Sequence, residues 1–268
     1  MSIPKIIHQI WIGYTRPTKG MMAWMERWKQ LHPEWEYKLW DNDAFDKLQK
    51  EHGFVTDKSV FMTCGNMSEI SDILRCELLY RFGGLYADTD QRCLKPFDNL
   101  LADVDKDIFI CGKKDDTLSL EQTGVIASTP KHHMIERLLS NLPERSKTHK
   151  DCHPAEKYGP GYFHEYIDSE YWTNSVSDLV YPARREATSQ RNFTDEELMT
   201  LHPEAYSIHV YESSWRGKTK KRKIDKFNKF AQSVGESNPS FMQEVIISVE
   251  KKRIDLEQNT TEPRFWAL

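Results

Sequence analysis

Residues 5–12 read Lys-Ile-Ile-His-Gln-Ile-Trp-Ile, a nearly continuous β-branched run closed by Gly13. That is the pattern of a parallel strand buried on both faces. Met21, Trp24, Met25, Trp28 and Leu31 then recur at helical spacing before Pro33. They predict an amphipathic helix over residues 21–31, with its aromatics in the core rather than at a ligand. Residues 35–40 alternate as a half-buried strand. Asn66 and Glu69 have the spacing of a capping box, and Met67, Ile70, Leu74 and Leu78 follow at helical spacing. Gly83-Gly84 supplies a stop that tolerates left-handed backbone, and Leu85-Tyr86-Ala87 is a short β-prone run. Residues 107–111 and 124–127 add two strands, and the alternation of strand and helix predicts an α/β sheet.

Beyond about residue 145 the pattern loosens. Gly159-Pro160-Gly161 reads as a tight loop, Val180-Tyr181-Pro182 as a short edge strand, and Ile208-His209-Val210-Tyr211 as a last strand. Basic residues crowd positions 216–229, while Ile224, Phe227, Phe230, Ala231 and Val234 trace one helical stripe. We expect a solvated helix packed by its apolar face; a membrane-surface or polyanion patch is the alternative. Residues 241–256 predict another amphipathic helix. With no internal repeat or low-complexity linker, residues 1–268 parse as one domain.

Charged residues make up 29% of the 268-residue chain and the net charge is −4, which argues against a chain-wide nucleic-acid partner. No apolar run approaches the ~18–20 residues of a membrane span, and residues 1–5 lack the apolar core of a signal peptide. The expected location is cytoplasmic. Cys64, Cys76, Cys93, Cys111 and Cys152 are scattered without a Cys-x-x-Cys pair, as suits free thiols.

Asp-x-Asp occurs four times, at Asp41/Asp43, Asp88/Asp90, Asp103/Asp105 and Asp105/Asp107. Only Asp88/Asp90 follows a helix, a glycine stop and an apolar strand. In an extended segment, residues two apart point to one side, so two carboxylates would share a space and repel unless a cation lay between them. Oxygen ligands favour Mn²⁺ or Mg²⁺, which keep positions open for substrate phosphates, and such an ion can neutralise a departing diphosphate. Asp72 and Arg75 stand at i and i+3 on the preceding helix, on one face. As a surface pair they would be worth about 0–1 kcal/mol; beside the acidic pair they become candidate substrate-binding groups.

These segments, together with Ile3-Pro4 before the first strand and Leu94-Lys95-Pro96-Phe97, resemble the glycosyltransferases with a sugar-binding region containing the DXD motif. The likeness to the initiating mannosyltransferase of Golgi N-glycan elongation and to capsular polysaccharide synthesis enzymes is the stronger. That to the glucosylating domain of large bacterial cytotoxins is more distant. The resemblance spans about the first 130 residues. It implies a GT-A-like α/β fold, a Rossmann-like nucleotide-sugar-binding sheet flanked by helices, with a helical C-terminal elaboration. Residues 1–130 would form the donor core, 131–215 the acceptor side and 216–268 the elaboration.

By the same resemblance, Ile10 and Trp11 would lie at the nucleotide, with Trp11 stacked on the base. Asp72 and Arg75 would hold donor sugar hydroxyls, and Tyr86 and Thr89 would line the donor pocket. Asp88 would contact ribose and metal-bound water, Asp90 would ligate the metal, and His209 would complete the metal site. Ser214 and Trp215 would cover the leaving group. Gly159-Pro160-Gly161 resembles a Gly-Pro loop beside the acceptor. Where the family often places an Asn at the reacting sugar, this chain has Glu121, Gln122 and Thr123, among which Gln122 is the expected catalytic group.

The reading is a metal-dependent transfer of a hexosyl unit from a UDP- or GDP-sugar to a hydroxyl of a glycan, lipid-linked or protein acceptor, within polysaccharide biosynthesis. The resemblance implies retention of configuration; inversion would require a carboxylate base, for which Glu121 is a candidate. One alternative is a non-catalytic nucleotide-sugar or glycan-binding module. Another is a metal-dependent phosphatase, which would want a hydroxyl two residues past the second Asp, where Arg92 stands. The basic C-terminal helix would suit peripheral membrane contact, and no nucleic-acid partner is expected.

Overall fold

A computed structural model of the chain describes residues 2–104, 107–111, 122–150, 152–182, 192–210, 221–235 and 238–259. In chain order the first half holds β1 (Ile6–Ile10), α1 (Lys19–Leu31), β2 (Glu36–Trp40), α2 (Asn42–His52), α3 (Lys58–Phe61), α4 (Met67–Phe82), β3 (Gly84–Ala87), β4 (Gln91–Cys93), α5 (Asp98–Val104), β5 (Ile108–Ile110) and β6 (Val125–Ser128). Then come α6 (His133–Thr148), α7 (Pro154–Lys157), α8 (Pro160–Tyr166), α9 (Ser177–Val180), α10 (Asp195–Leu201), β7 (Ser207–His209), α11 (Lys221–Gly235) and α12 (Phe241–Asn259).

The main sheet has the order β2-β1-β3-β6-β5. β1 runs parallel to β2 and β3, whereas β3–β6 and β6–β5 are antiparallel, so the α/β sheet flanked by helices is mixed. β1 is interior, as its apolar run predicts. Its polar residues His8 and Gln9 are fully buried and satisfied: His8 contacts the Gly83 carbonyl and accepts from the Trp40 indole, and Gln9 accepts from the Tyr37 hydroxyl.

α4 is buried nearly all round, which explains why an apolar stripe alone did not delimit it. The Asn66 side chain caps it by accepting from the Glu69 N–H, but the Glu69 carboxylate accepts from the Gly65 N–H and the Asn66 side-chain amide rather than from the Asn66 backbone N–H, so the expected capping box is only half formed. Gly83 ends the helix at φ 63° and Gly84 opens β3 at φ 91°. A Cβ on Gly84 would lie 2.6 Å from the Ile6 carbonyl oxygen, so both the backbone and the spacing to β1 require glycine.

Two expectations change, and the last strand forms. Gly159-Pro160-Gly161 is no loop: Pro160 occupies the first turn of α8, where its fixed φ suits a helix start. Val180-Tyr181-Pro182 is no edge strand, because Val180 ends the short helix α9. The last strand pairs antiparallel with β4 in a separate two-stranded sheet. The C-terminal helices form as expected: α11 buries Phe227 and Val234, and α12 buries Met242, Val245, Ile246 and Val249 in the main core. Among the described residues no helix is long and apolar enough to cross a membrane.

Candidate active site

The carboxyl ends of β1 and β3 open into a cavity of about 290 Å³, the place where open α/β sheets bind ligands. Ile10 and Trp11 line it from β1, and Tyr86, Asp88, Thr89 and Asp90 from the end of β3. Trp11 continues the β1–β2 pairing through its N–H to the Trp40 carbonyl, and its indole donates to the Thr15 carbonyl at 2.6 Å. This fixes a half-buried ring at the cavity edge.

Asp88 and Asp90 do not sit in extended chain, as expected from the sequence. β3 ends at Ala87, and the Gln91 N–H closes a turn on the Asp88 carbonyl at 3.0 Å. The carboxylates converge because this turn is held from three sides. The Gln9 amide donates to the Asp88 carbonyl, the Asp88 N–H donates to the Gly124 carbonyl, and the Trp28 indole donates to the Gln91 carbonyl. A Cβ on Gly124 would stand 2.9 Å from the Asp88 carboxylate, so that approach depends on glycine.

β7 supplies the third member. The β4–β7 register sets His209 opposite Gln91, and the Val210 N–H donates to the Asp90 carbonyl. His209 Nε2 thereby lies 3.1 Å from Asp90 Oδ1 and 3.8 Å from Asp88 Oδ2. Ligand atoms of Asp88, Asp90 and His209 all fall within 4.8 Å of one another. Two carboxylates and an imidazole make a donor set that fits a divalent cation. Burial raises the Asp88 carboxyl, Arg75 opposing the rise and Asp90 adding to it. Burial also works against a charged His209 ring, but Asp90 and Asp88 outweigh it and raise its pKa. Both carboxylates would therefore gain from a cation at this point.

Asp72 and Arg75 form a fully buried ion pair, 6% and 4% exposed, not the surface pair their spacing would allow. Burial pushes the Asp72 carboxyl up to about 7 against the pull of Arg75. Arg75 also lies 3.4 Å from Asp88 Oδ1, donates to the Thr123 carbonyl and hydroxyl, and stacks on the Tyr86 ring. The Tyr86 hydroxyl donates to Asp88 Oδ1 at 2.6 Å. Arg75 thus links helix α4 to the acidic turn.

Gln122 lines the cavity beside Thr123; Glu121, Ser214 and Trp215 lie outside the described residues. Sequence reasoning missed Gln9, Gln91 and Gly124, which position the acidic turn. A glutamine inside an otherwise apolar strand was the available signal for Gln9. It also missed Tyr14, Glu250 and Arg253, which bring the C-terminal helices to the cavity wall. The Tyr14 hydroxyl donates to Glu250 Oε1 at 2.6 Å and its ring packs on Phe227 and Phe230. A decoy is also explained, since Asp41 caps α2.

Comparison with known proteins bears on this site. The profile of the glycosyltransferase sugar-binding region containing DXD motif matches residues 18–106. Inositol phosphoceramide mannosyltransferase 3 of Schizosaccharomyces pombe is 35% identical over 104 residues, 37% of this chain and 28% of that protein. Inositol phosphoceramide mannosyltransferase 1 of the same yeast is 30% identical over 232 residues, 81% of this chain and 63% of that one. The chain therefore spans less than two thirds of either relative. Among solved structures, the PaToxG glycosyltransferase aligns with a TM-score of 0.45 at 14% identity, covering 91% of this chain and 86% of that one. Residues 18–106, which carry Asp72, Arg75, Asp88 and Asp90, thus match the profile of glycosyltransferase sugar-binding regions containing the DXD motif.

Proposed function

We propose that this chain is a metal-dependent hexosyltransferase that moves a sugar from a UDP- or GDP-sugar to an acceptor hydroxyl with retention of configuration. The observation that carries the reading is the convergence of Asp88, Asp90 and His209 beside the buried Asp72–Arg75 pair, in one cavity edged by Trp11. Asp88, Asp90 and His209 would hold the metal, which when bound neutralises charge on a departing diphosphate. Trp11 offers a face for the base. Asp72 and Arg75 present an acceptor and donors to sugar hydroxyls, and Arg75 keeps its positive charge close to Asp88. Gln122 lines the same cavity and would steady the reacting carbon's substituents.

Retention is proposed on the family resemblance. Among the described residues, the cavity's carboxylates besides the Asp88/Asp90 pair are Asp72, tied to Arg75, and Glu250, tied to Tyr14 and Arg253. Glu121, the base that inversion would require, lies outside the described residues. The yeast relatives are, by name, mannosyltransferases acting on inositol phosphoceramide, which favours a mannosyl donor and a lipid acceptor here. The test is a panel of UDP- and GDP-sugars with Mn²⁺ or Mg²⁺ and candidate acceptors, read as released nucleotide and as the anomeric configuration of the product. Metal-dependent release from one donor, lost in Asp90→Asn, supports the reading. No release from any donor contradicts it.

A further inference from the structure

We propose that the exposed basic stripe of α11 is a docking surface for an anionic lipid bilayer, set at the mouth of the cavity so that a membrane-borne acceptor enters over it. The step from docking to acceptor delivery rests on the glycosyltransferase reading; the docking itself does not.

α11 carries Lys221, Arg222, Lys223, Lys226 and Lys229 against the single acid Asp225, a net charge of 5 − 1 = +4. The whole chain is −4, so the remainder sums to −4 − 4 = −8. A molecule so divided is attracted to a negative surface by one side and repelled by the rest, which selects an orientation as well as a contact. The helix cannot rotate to hide the stripe. Phe227 and Phe230 are seated on the Tyr14 ring, with centroids 5.5 and 6.3 Å away, and Phe227 and Val234 are buried. Arg222, Lys226 and Lys229 are spaced at i, i+4 and i+7 and are all exposed, so they share one stripe.

That stripe adjoins the cavity. Lys223, one turn before Lys226, lines it, together with Glu250 and Arg253 of α12. A flat anionic surface laid along Arg222, Lys226 and Lys229 therefore lies beside the opening, within reach of the acidic turn's substrate space. A bilayer fits this better than a nucleic acid or free polyanion. The exposed cations Arg222, Lys226 and Lys229 form one stripe on one helix, and the acidic remainder of the chain would repel a strand that wrapped around it.

The experiment is co-sedimentation of the whole chain with phosphatidylcholine vesicles, with and without phosphatidylserine, at low and high salt. Binding is expected only with phosphatidylserine and is expected to weaken with salt. Each basic residue near such a surface contributes roughly a fivefold factor. R222Q/K226Q/K229Q should therefore bind on the order of a hundredfold more weakly, whereas R222K/K226R/K229R should bind as the parent does. Equal binding to neutral vesicles, undiminished binding by the glutamine variant, or capture on heparin without vesicle binding would each overturn the proposal. Nucleotide release in solution from the responsive donor should be unchanged in the glutamine variant, since none of its three positions lines the cavity. Loss of vesicle binding with intact release thus separates the failure of docking from the failure of the catalytic reading.

Discussion

Replacing Arg75 with Met removes the cation from a site holding two buried carboxylates. Asp72 loses its only ion-pair partner among the described residues, while Asp88 keeps the Tyr86 hydroxyl and His209. Removing one partner of a buried pair costs about 3–5 kcal/mol, because an uncompensated charge is left behind. The pH dependence makes the test specific. With Arg75 present, burial already holds the Asp72 carboxyl at about 7, above its ordinary value, and Arg75 is what opposes the rise. For an acid whose folded pKa is raised, the native state binds the extra proton. Stability is therefore full below the unfolded pKa and declines as pH climbs to the folded one.

In the parent that decline ends near pH 7. In Arg75→Met it continues higher, by about one pH unit for each ~1.4 kcal/mol of lost pairing. Urea unfolding followed by circular dichroism, with chelator present, should show a larger deficit of the variant at about pH 8 than at about pH 5, the growth falling above about pH 7. Asp72→Asn/Arg75→Met should recover part of the loss at the higher pH. An equal deficit at both pH values, or one below about 1 kcal/mol at the higher, would refute the reasoning.

Other outcomes follow from the same geometry. Trp11→Ala should weaken nucleotide binding by about 1–3 kcal/mol if the ring carries the base, measured by calorimetry with UDP and GDP; unchanged affinity for both would remove Trp11 from the site. Gly84→Ala places a methyl 2.6 Å from the Ile6 carbonyl at φ 91°, and should cost more than about 1 kcal/mol of stability in denaturant unfolding. Lys157→Met leaves Glu69 charged and nearly fully buried without its 3.0 Å partner. A loss of about 3–5 kcal/mol in unfolding free energy is expected, and Glu69→Gln in the same chain should relieve part of it.

The first half of the fold was legible because its signals are local. β1 is a strong apolar run, Gly83-Gly84 punctuates α4, and the Asp88/Asp90 pair is set apart from its decoys by that context. What depended on distant contacts was not. Whether Asp72 and Arg75 lie buried or exposed is decided by the walls around α4, not by their spacing. The turn that converges Asp88 and Asp90 is fixed by Gln9, Gly124 and Trp28, residues whose roles exist only once the sheet has formed. Pro160 reads as a loop residue until Gly159 is seen to cap α8 and Pro160 to open its first turn. His209 was reached through resemblance, and its place follows from the β4–β7 register, which brings it to Asp90, 119 residues away in sequence. The contribution of α12 to the cavity wall left no motif at all.

The central claim is that Asp88, Asp90 and His209 hold a cation that binds a nucleoside diphosphate. Calorimetric titration of UDP and GDP into the protein, with and without Mn²⁺, tests it directly. One nucleotide should bind only with Mn²⁺ present, and Asp90→Asn should abolish that dependence while leaving the fold intact. Metal-independent binding of equal strength in both proteins would contradict the account.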